Sequence, residues 1–191
     1  AYIDHLRLKL NILQPKGFSL VKGDMNFYDL KFRTLEGEEV AFSQFKGKVC
    51  LVVNIASHCG FTPQLHDLET LYLFYRKKGF EVLAFPSNDF GQQEPLENSG
   101  IGNFCKSKFL ASFPIFEKSH VRGKDANPVF RFLSEKKMYR LFSMKPLWNF
   151  QKYLVDRDGQ LVDCFFSFTK PSADRLRKKI ERMLQQQHSG N

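Results

Sequence analysis

The sequence predicts an α/β domain in which helices cover a central mixed β-sheet. Three observations carry that expectation. The run Val49-Cys50-Leu51-Val52-Val53-Asn54 is almost wholly apolar, the pattern of a strand buried on both faces. Glu81-Val82-Leu83-Ala84-Phe85 repeats it, and the helical stretch between the two completes a strand–helix–strand unit. Phenylalanine occurs 21 times in 191 residues, and that many rings need an interior to pack in.

Composition removes the other classes. With 42% hydrophobic and 26% charged residues, intrinsic disorder does not fit. No apolar run reaches the roughly 18 residues of a membrane-spanning helix, and no internal repeat suggests a solenoid or coiled coil. Cys50, Cys59, Cys105 and Cys164 show neither CxxC nor zinc-finger spacing, which excludes a disulfide-rich scaffold and argues against structural zinc.

In chain order, residues 1–17 read as an N-terminal extension, with Leu6, Leu8, Leu10 and Ile12 alternating like a strand up to Pro15 and Gly17. The domain spans 18–185, with a tail over 186–191. Phe27 to Phe32 alternates, and Leu35-Glu36-Gly37-Glu38-Glu39-Val40 reads as a hairpin returning toward Phe42. After the first buried strand, Thr62 is expected to cap a helix whose first turn holds Pro63. Leu65, Leu68, Tyr72 and Tyr75 share one face of that helix, and Gly79 ends it. Pro86 cuts the second strand, and a polar loop over Asn88 to Gly100 leads to a short helix around Asn103 to Phe109. Pro128 opens another helix to about Lys136. Phe150 to Val155 and Gln160 to Phe166 pair across Arg157-Asp158-Gly159, and the last helix runs from Pro171 to Gln185. The expected sheet has about five to seven strands.

Reactive groups in open α/β sheets gather beyond the carboxyl ends of the strands, where Cys59 stands, just before a helix. Backbone N–H groups at a helix start favour a thiolate, although a buried cysteine is also a good small core residue. Cys50 and Cys164 lie within apolar strands and read as packing residues.

Three motifs carry a resemblance. Asn54-Ile55-Ala56-Ser57-His58-Cys59-Gly60-Phe61-Thr62 resembles the nucleophile loop of the glutathione peroxidase family. Leu83-Ala84-Phe85-Pro86-Ser87-Asn88-Asp89-Phe90-Gly91-Gln92-Gln93-Glu94-Pro95 is similar to its second signature, and Trp148-Asn149-Phe150-Gln151-Lys152-Tyr153-Leu154-Val155-Asp156 to its third. The resemblance covers roughly Phe27 to Leu184 and implies a thioredoxin-like fold and a thiol-dependent peroxidase acting on hydrogen peroxide or organic and lipid hydroperoxides. By position, Cys59 matches the peroxidatic residue, and Gln93, Trp148 and Asn149 match the rest of the catalytic tetrad. It implies no metal, flavin or haem; the co-substrate is a thiol such as glutathione or a thioredoxin-type protein. The competing reading is a non-catalytic or redox-relay module that binds membranes or partner proteins through a basic face.

Chemistry gives the tetrad a reason. Lowering a thiol pKa from about 8.5 to about 6.5 raises the thiolate fraction at pH 7 roughly 25-fold. The accompanying fall in nucleophilicity takes back roughly 6- to 10-fold. Thiolate fraction alone cannot make a fast peroxidase. Donors aimed at the departing oxygen supply more, about 2.7–4 kcal/mol each in well-studied sites. The amides of Gln93 and Asn149 and the indole of Trp148 are such donors.

The chain departs from the family pattern at Ser87, where many members have cysteine. The thioredoxin-dependent members place a resolving cysteine on the helix ahead of Phe-Pro-Ile-Phe, here Phe113 to Phe116. Anchored on Phe109, that position falls at Lys106, which leaves its neighbour Cys105 as the candidate resolving residue. One residue is about 100° around a helix, so oxidised Cys59 is expected as a sulfenic acid or mixed disulfide rather than bonded to Cys105. The short stretch between Phe132 and Trp148 lacks the assembly insertion of tetrameric members and implies a monomer.

The net charge of +9 is concentrated. Lys170 to Met183 holds six basic residues against two acidic, and Glu135 to Lys145 four against one. These read as solvated faces or as a surface for anionic lipid; no nucleic-acid motif accompanies them. Met25-Asn26-Phe27-Tyr28-Asp29-Leu30, Cys59-Gly60-Phe61-Thr62 and Phe90-Gly91-Gln92-Gln93 look similar to the endoplasmic-reticulum-type members of that family. The resemblance implies the secretory pathway, the endoplasmic-reticulum lumen or the extracellular space, with the cytoplasm as the alternative.

Overall fold

A computed structural model of the chain describes residues 25–138 and 142–186. The expected extension over 1–17 and nearly all of the expected tail lie outside the described residues. The described elements are, in order, β1 (Lys31–Arg33), β2 (Glu39–Ala41), β3 (Val49–Ile55), α1 (Gln64–Tyr75), β4 (Phe80–Pro86), α2 (Asn98–Phe109), α3 (Pro128–Glu135), β5 (Lys137–Met138), β6 (Phe142–Ser143), β7 (Lys152–Val155), β8 (Leu161–Phe165) and α4 (Asp174–Gln185).

Among the described residues the central sheet has four strands, in the order β4-β3-β7-β8, fewer than the five to seven expected. β3 pairs parallel with β4 and antiparallel with β7, and β8 closes the antiparallel edge. The sheet is mixed, as the sequence predicts. The missing strands form two separate two-stranded ribbons, β1-β2 and β5-β6. Phe27 to Asp29 is a 3₁₀ turn rather than a strand, because the Asn26 side chain accepts from Tyr28 N while Asp29 accepts from Asn26 N. That local capping defeats the alternating pattern.

Every residue of β3 and β4 is buried, so both faces of the sheet need cover. On one face Val49, Leu51 and Val53 pack against Leu65 and Leu68 of α1 and Leu176 and Ile180 of α4. On the other, Cys50 and Val52 meet a phenylalanine-rich cluster including Phe27, Phe42, Phe85, Phe116 and Phe130. Phe85 stacks on Phe116 with centroids 4.7 Å apart and planes 9° from parallel. A buried phenylalanine is worth roughly 1.5–3 kcal/mol, so these rings supply much of the apolar burial on this face of the sheet.

Other expectations shift in detail. In α1, Leu71 takes the fully buried place expected of Tyr72, and Gly79 ends the following turn in the left-handed region at φ 87°. α2 starts five residues early, so Gly100 and Gly102 lie inside it. At Gly102 a Cβ would meet Leu35 Cδ1 at 3.3 Å, which explains a glycine in mid-helix. α4 starts at Asp174, three residues after Pro171. β7 starts at Lys152 and not Phe150, because Phe150 has φ 62°, which no strand accommodates.

Candidate active site

β3 delivers the nucleophile loop. The chain leaves the strand at Ile55, and the peptide turns over 56–63 before α1 begins. Thr62 does not cap α1. Its hydroxyl accepts from Cys59 N at 3.0 Å and donates to the Ala56 carbonyl at 2.8 Å, closing the turn that carries the cysteine. Pro63 occupies the cap position without a side-chain bond. Cys59 is 8% exposed, and Phe61 N donates to its Sγ at 3.4 Å.

The second loop is fastened to the first at two adjacent points. His58 N donates to the Gln93 carbonyl at 2.9 Å, and the Ser57 hydroxyl lies 2.9 and 2.8 Å from the two oxygens of Glu94. Glu94 is fully buried, and burial pushes its carboxyl above the usual range. Gly91 and Gln92 both take left-handed backbone angles, φ 62° and 52°, and turn the chain so that Gln93 follows.

The third loop supplies Trp148 and Asn149. Asn149 is fully buried, and its Nδ2 donates to Gln93 Oε1 at 3.0 Å and to the Phe90 carbonyl at 3.4 Å. This occupies the oxygen of the Gln93 amide and leaves that side chain's N–H donors for a ligand. The Asn149 Oδ1 atom is buried without a partner, a situation that costs roughly 1–3 kcal/mol. Trp148 is 40% exposed, and its ring rests against Phe90 at 5.8 Å. A structural tryptophan would be buried; this one faces outward from the same loop junction.

The sequence reading overlooked what holds the third loop. Asn54, at the end of β3, donates from Nδ2 to the Trp148 carbonyl at 3.0 Å. Its Oδ1 accepts from Gln151 N at 3.1 Å, and its backbone oxygen accepts from Phe150 N at 2.6 Å. Lys152, fully buried in β7, donates from Nζ to the Phe150 carbonyl at 2.7 Å. Burial draws its ammonium down to about 7. Left-handed Phe150, at φ 62°, costs of order 1–3 kcal/mol and is held by these four bonds. The signal in the sequence was a polar residue ending one apolar strand and a lysine opening another.

Gln93 and Asn149 are thus in direct contact, Trp148 joins them through Phe90, and the Cys59 loop is bonded to Gln93 through His58. Cys105 lies apart in α2, 1% exposed, and belongs to the same apolar cluster as Cys59. Burial, with the nearby Glu94 charge, pushes its thiol up to about 12. Cys50 is buried and raised, mainly by desolvation. Cys164, half-buried, is pushed up to about 11 by burial and accepts from Gln151 Nε2 at 3.3 Å. Ser87, in the place of the family's extra cysteine, is fully buried and accepts from Asp89 N at 3.3 Å.

Comparison with known proteins identifies the family and the fold. Residues 27–134 match the family Glutathione peroxidase. The chain is 48% identical over 159 residues to glutathione peroxidase-like peroxiredoxin GPX5 of Chlamydomonas reinhardtii, covering 83% of this chain and 96% of that one. It is 43% identical over 160 residues to a glutathione peroxidase of Lactococcus lactis, covering 84% and 100%. The crystal structure of Trgpx in its apo form superposes with a TM-score of 0.69 at 36% identity, over 86% of this chain and 98% of that one. A thioredoxin-family thiol:disulfide interchange protein of Chlorobium tepidum, 14% identical over 84% of this chain and 96% of that one, shares the fold at a TM-score of 0.61. The chain belongs to the glutathione peroxidase family. It has the thioredoxin-like fold and is a peroxidase.

Proposed function

We propose that Cys59 is the peroxidatic residue of a thiol-dependent peroxidase. Its thiolate attacks the terminal oxygen of a hydroperoxide. An S–O bond forms, the O–O bond breaks, and the departing oxygen takes up a proton to leave as water or an alcohol. Cys59 is left as a sulfenic acid. Gln93 and the Trp148 indole donate to the charge that develops on the departing oxygen. The Asn149 oxygen, buried and unpaired, accepts the hydrogen of the incoming peroxide. The observation that carries this reading is the Asn149–Gln93 bond, which frees the Gln93 donors beside the loop that presents Cys59. Hydrogen peroxide and organic or lipid hydroperoxides are the substrates, and thiols supply the electrons without a metal or prosthetic group.

For recycling, we propose an internal disulfide with Cys105 in place of the mixed disulfide expected from sequence: both cysteines belong to one apolar cluster, and α2 must open to expose and ionise the buried Cys105 thiol. The Cys105 thiol displaces the sulfenic hydroxyl, an S–S bond forms, and water leaves. The disulfide then passes to a thioredoxin-type thiol, in keeping with the peroxiredoxin names of several relatives. One equivalent of peroxide, followed by mass spectrometry, tests both halves. The parent protein is expected to lose the mass of two hydrogen atoms and yield a Cys59–Cys105 peptide pair, while Cys105→Ser gains one oxygen on Cys59. An oxygen on any other residue would remove the peroxidatic assignment, and a parent that keeps its sulfenic acid would remove the resolving one.

A further inference from the structure

We propose that Lys152 is a positioning residue for peroxide reduction, holding the left-handed turn that presents Trp148 and Asn149. The inference rests on the assignment of those two residues to the site. Lys152 opens β7, an inner strand of the central sheet, opposite Val53 of β3 and Phe165 of β8, a place where an apolar residue would pack at far lower cost. Its relative exposure is 0%, and its Nζ reaches back two residues to the Phe150 carbonyl at 2.7 Å. Phe150 carries the left-handed angle of the turn. Its N–H is bonded to the Asn54 backbone, so the peptide units on both sides of the strained residue are gripped, one by β3 and one by Lys152. Without the lysine, the Phe150 carbonyl would lose its donor in an apolar setting, and rotating that peptide to find another would carry Trp148 and Asn149 with it.

The molecule contains a single tryptophan, so Trp148 fluorescence reports the geometry of this turn independently of activity. The experiment compares Lys152→Met, Lys152→Gln and Leu154→Ala with the parent for melting temperature, Trp148 emission and single-turnover oxidation by hydrogen peroxide. Leu154 is a buried β7 neighbour outside the site and serves as the packing control. Lys152→Met is expected to fold, to shift the Trp148 emission and its acrylamide quenching, and to slow oxidation at least tenfold. Lys152→Gln keeps an amide donor and should recover part of both signals. Leu154→Ala should melt lower while its emission and its oxidation rate stay within twofold of the parent. If Lys152→Met does not fold, Lys152→Gln decides alone: a shifted emission with oxidation slowed at least threefold supports the role. Parent-like emission and rate in the folded Lys152 variants would reduce the lysine to core filling. Trp148→Phe separates the two levels of the argument. If it oxidises at the parent rate, the site assignment itself fails; if it is slow while Lys152→Met is normal, only the lysine's role fails.

Discussion

Asn149 shows at the residue scale how this site differs from ordinary packing. A buried amide normally satisfies both ends, yet here Nδ2 is bonded and Oδ1 is not. Gln93→Ala is expected to slow Cys59 oxidation by about 10- to 1000-fold, as the loss of one preorganised donor does elsewhere. Asn149→Ala should slow it comparably by removing the acceptor for the peroxide and the bond that orients the Gln93 amide. Trp148→Phe should slow it as well, since the ring's contact with Phe90 is kept and only the indole N–H is lost. Stopped-flow oxidation of all three measures this, and rates within twofold of the parent would remove the tetrad. The tetrad positions were readable because each lies in a motif with its own spacing. Asn54 and Lys152 stand in the same motifs, but their roles were not readable: Asn54 acts by contact across the fold, 94 residues from Trp148, and Lys152 by turning a charged side chain inward toward the Phe150 carbonyl. No local pattern encodes such a pairing.

Among the elements, β3 and β4 were legible because seven consecutive buried residues leave a continuous apolar run. The Phe27 segment misled because an asparagine cap outweighed alternation, and α2 because glycines inside a helix look like a loop. β7 carries a further test. Lys152 is drawn from its ordinary 10.5 down to about 7 by burial, so between those values the unfolded chain binds the extra proton. Stability therefore rises with pH across that window, and the destabilisation from this buried charge is fully present below about pH 7. Relative to the parent, Lys152→Met should gain most stability near pH 6, on the order of a few kcal/mol, and the gain should shrink toward pH 9. Denaturant melts at several pH values measure the difference. A gap that does not change with pH would mean that the lysine is not held uncharged by the fold.

For the whole molecule, the basic charge is most concentrated on α4. Arg175, Arg177, Lys178 and Arg182 are exposed on α4, while Leu176, Ile180 and Met183 hold that helix against the sheet. Arg175 and Lys179 each approach Asp163 only to 3.8 Å, too loosely to quench the patch. Binding to anionic vesicles is expected at about 0.01 M salt and should fall by 0.15 M, as the Debye length shrinks from about 30 to about 8 Å. Flotation that ignores lipid charge and salt would return these residues to plain solvation. The fold places one cysteine, Cys59, at the carboxyl end of β3 with a backbone donor on its sulfur. The most direct test is peroxide consumption by Cys59→Ser beside the parent, with a thiol reductant in excess and circular dichroism on both. The account predicts a folded variant with no enzymatic turnover. A folded variant that still consumes peroxide at a substantial fraction of the parent rate would contradict it.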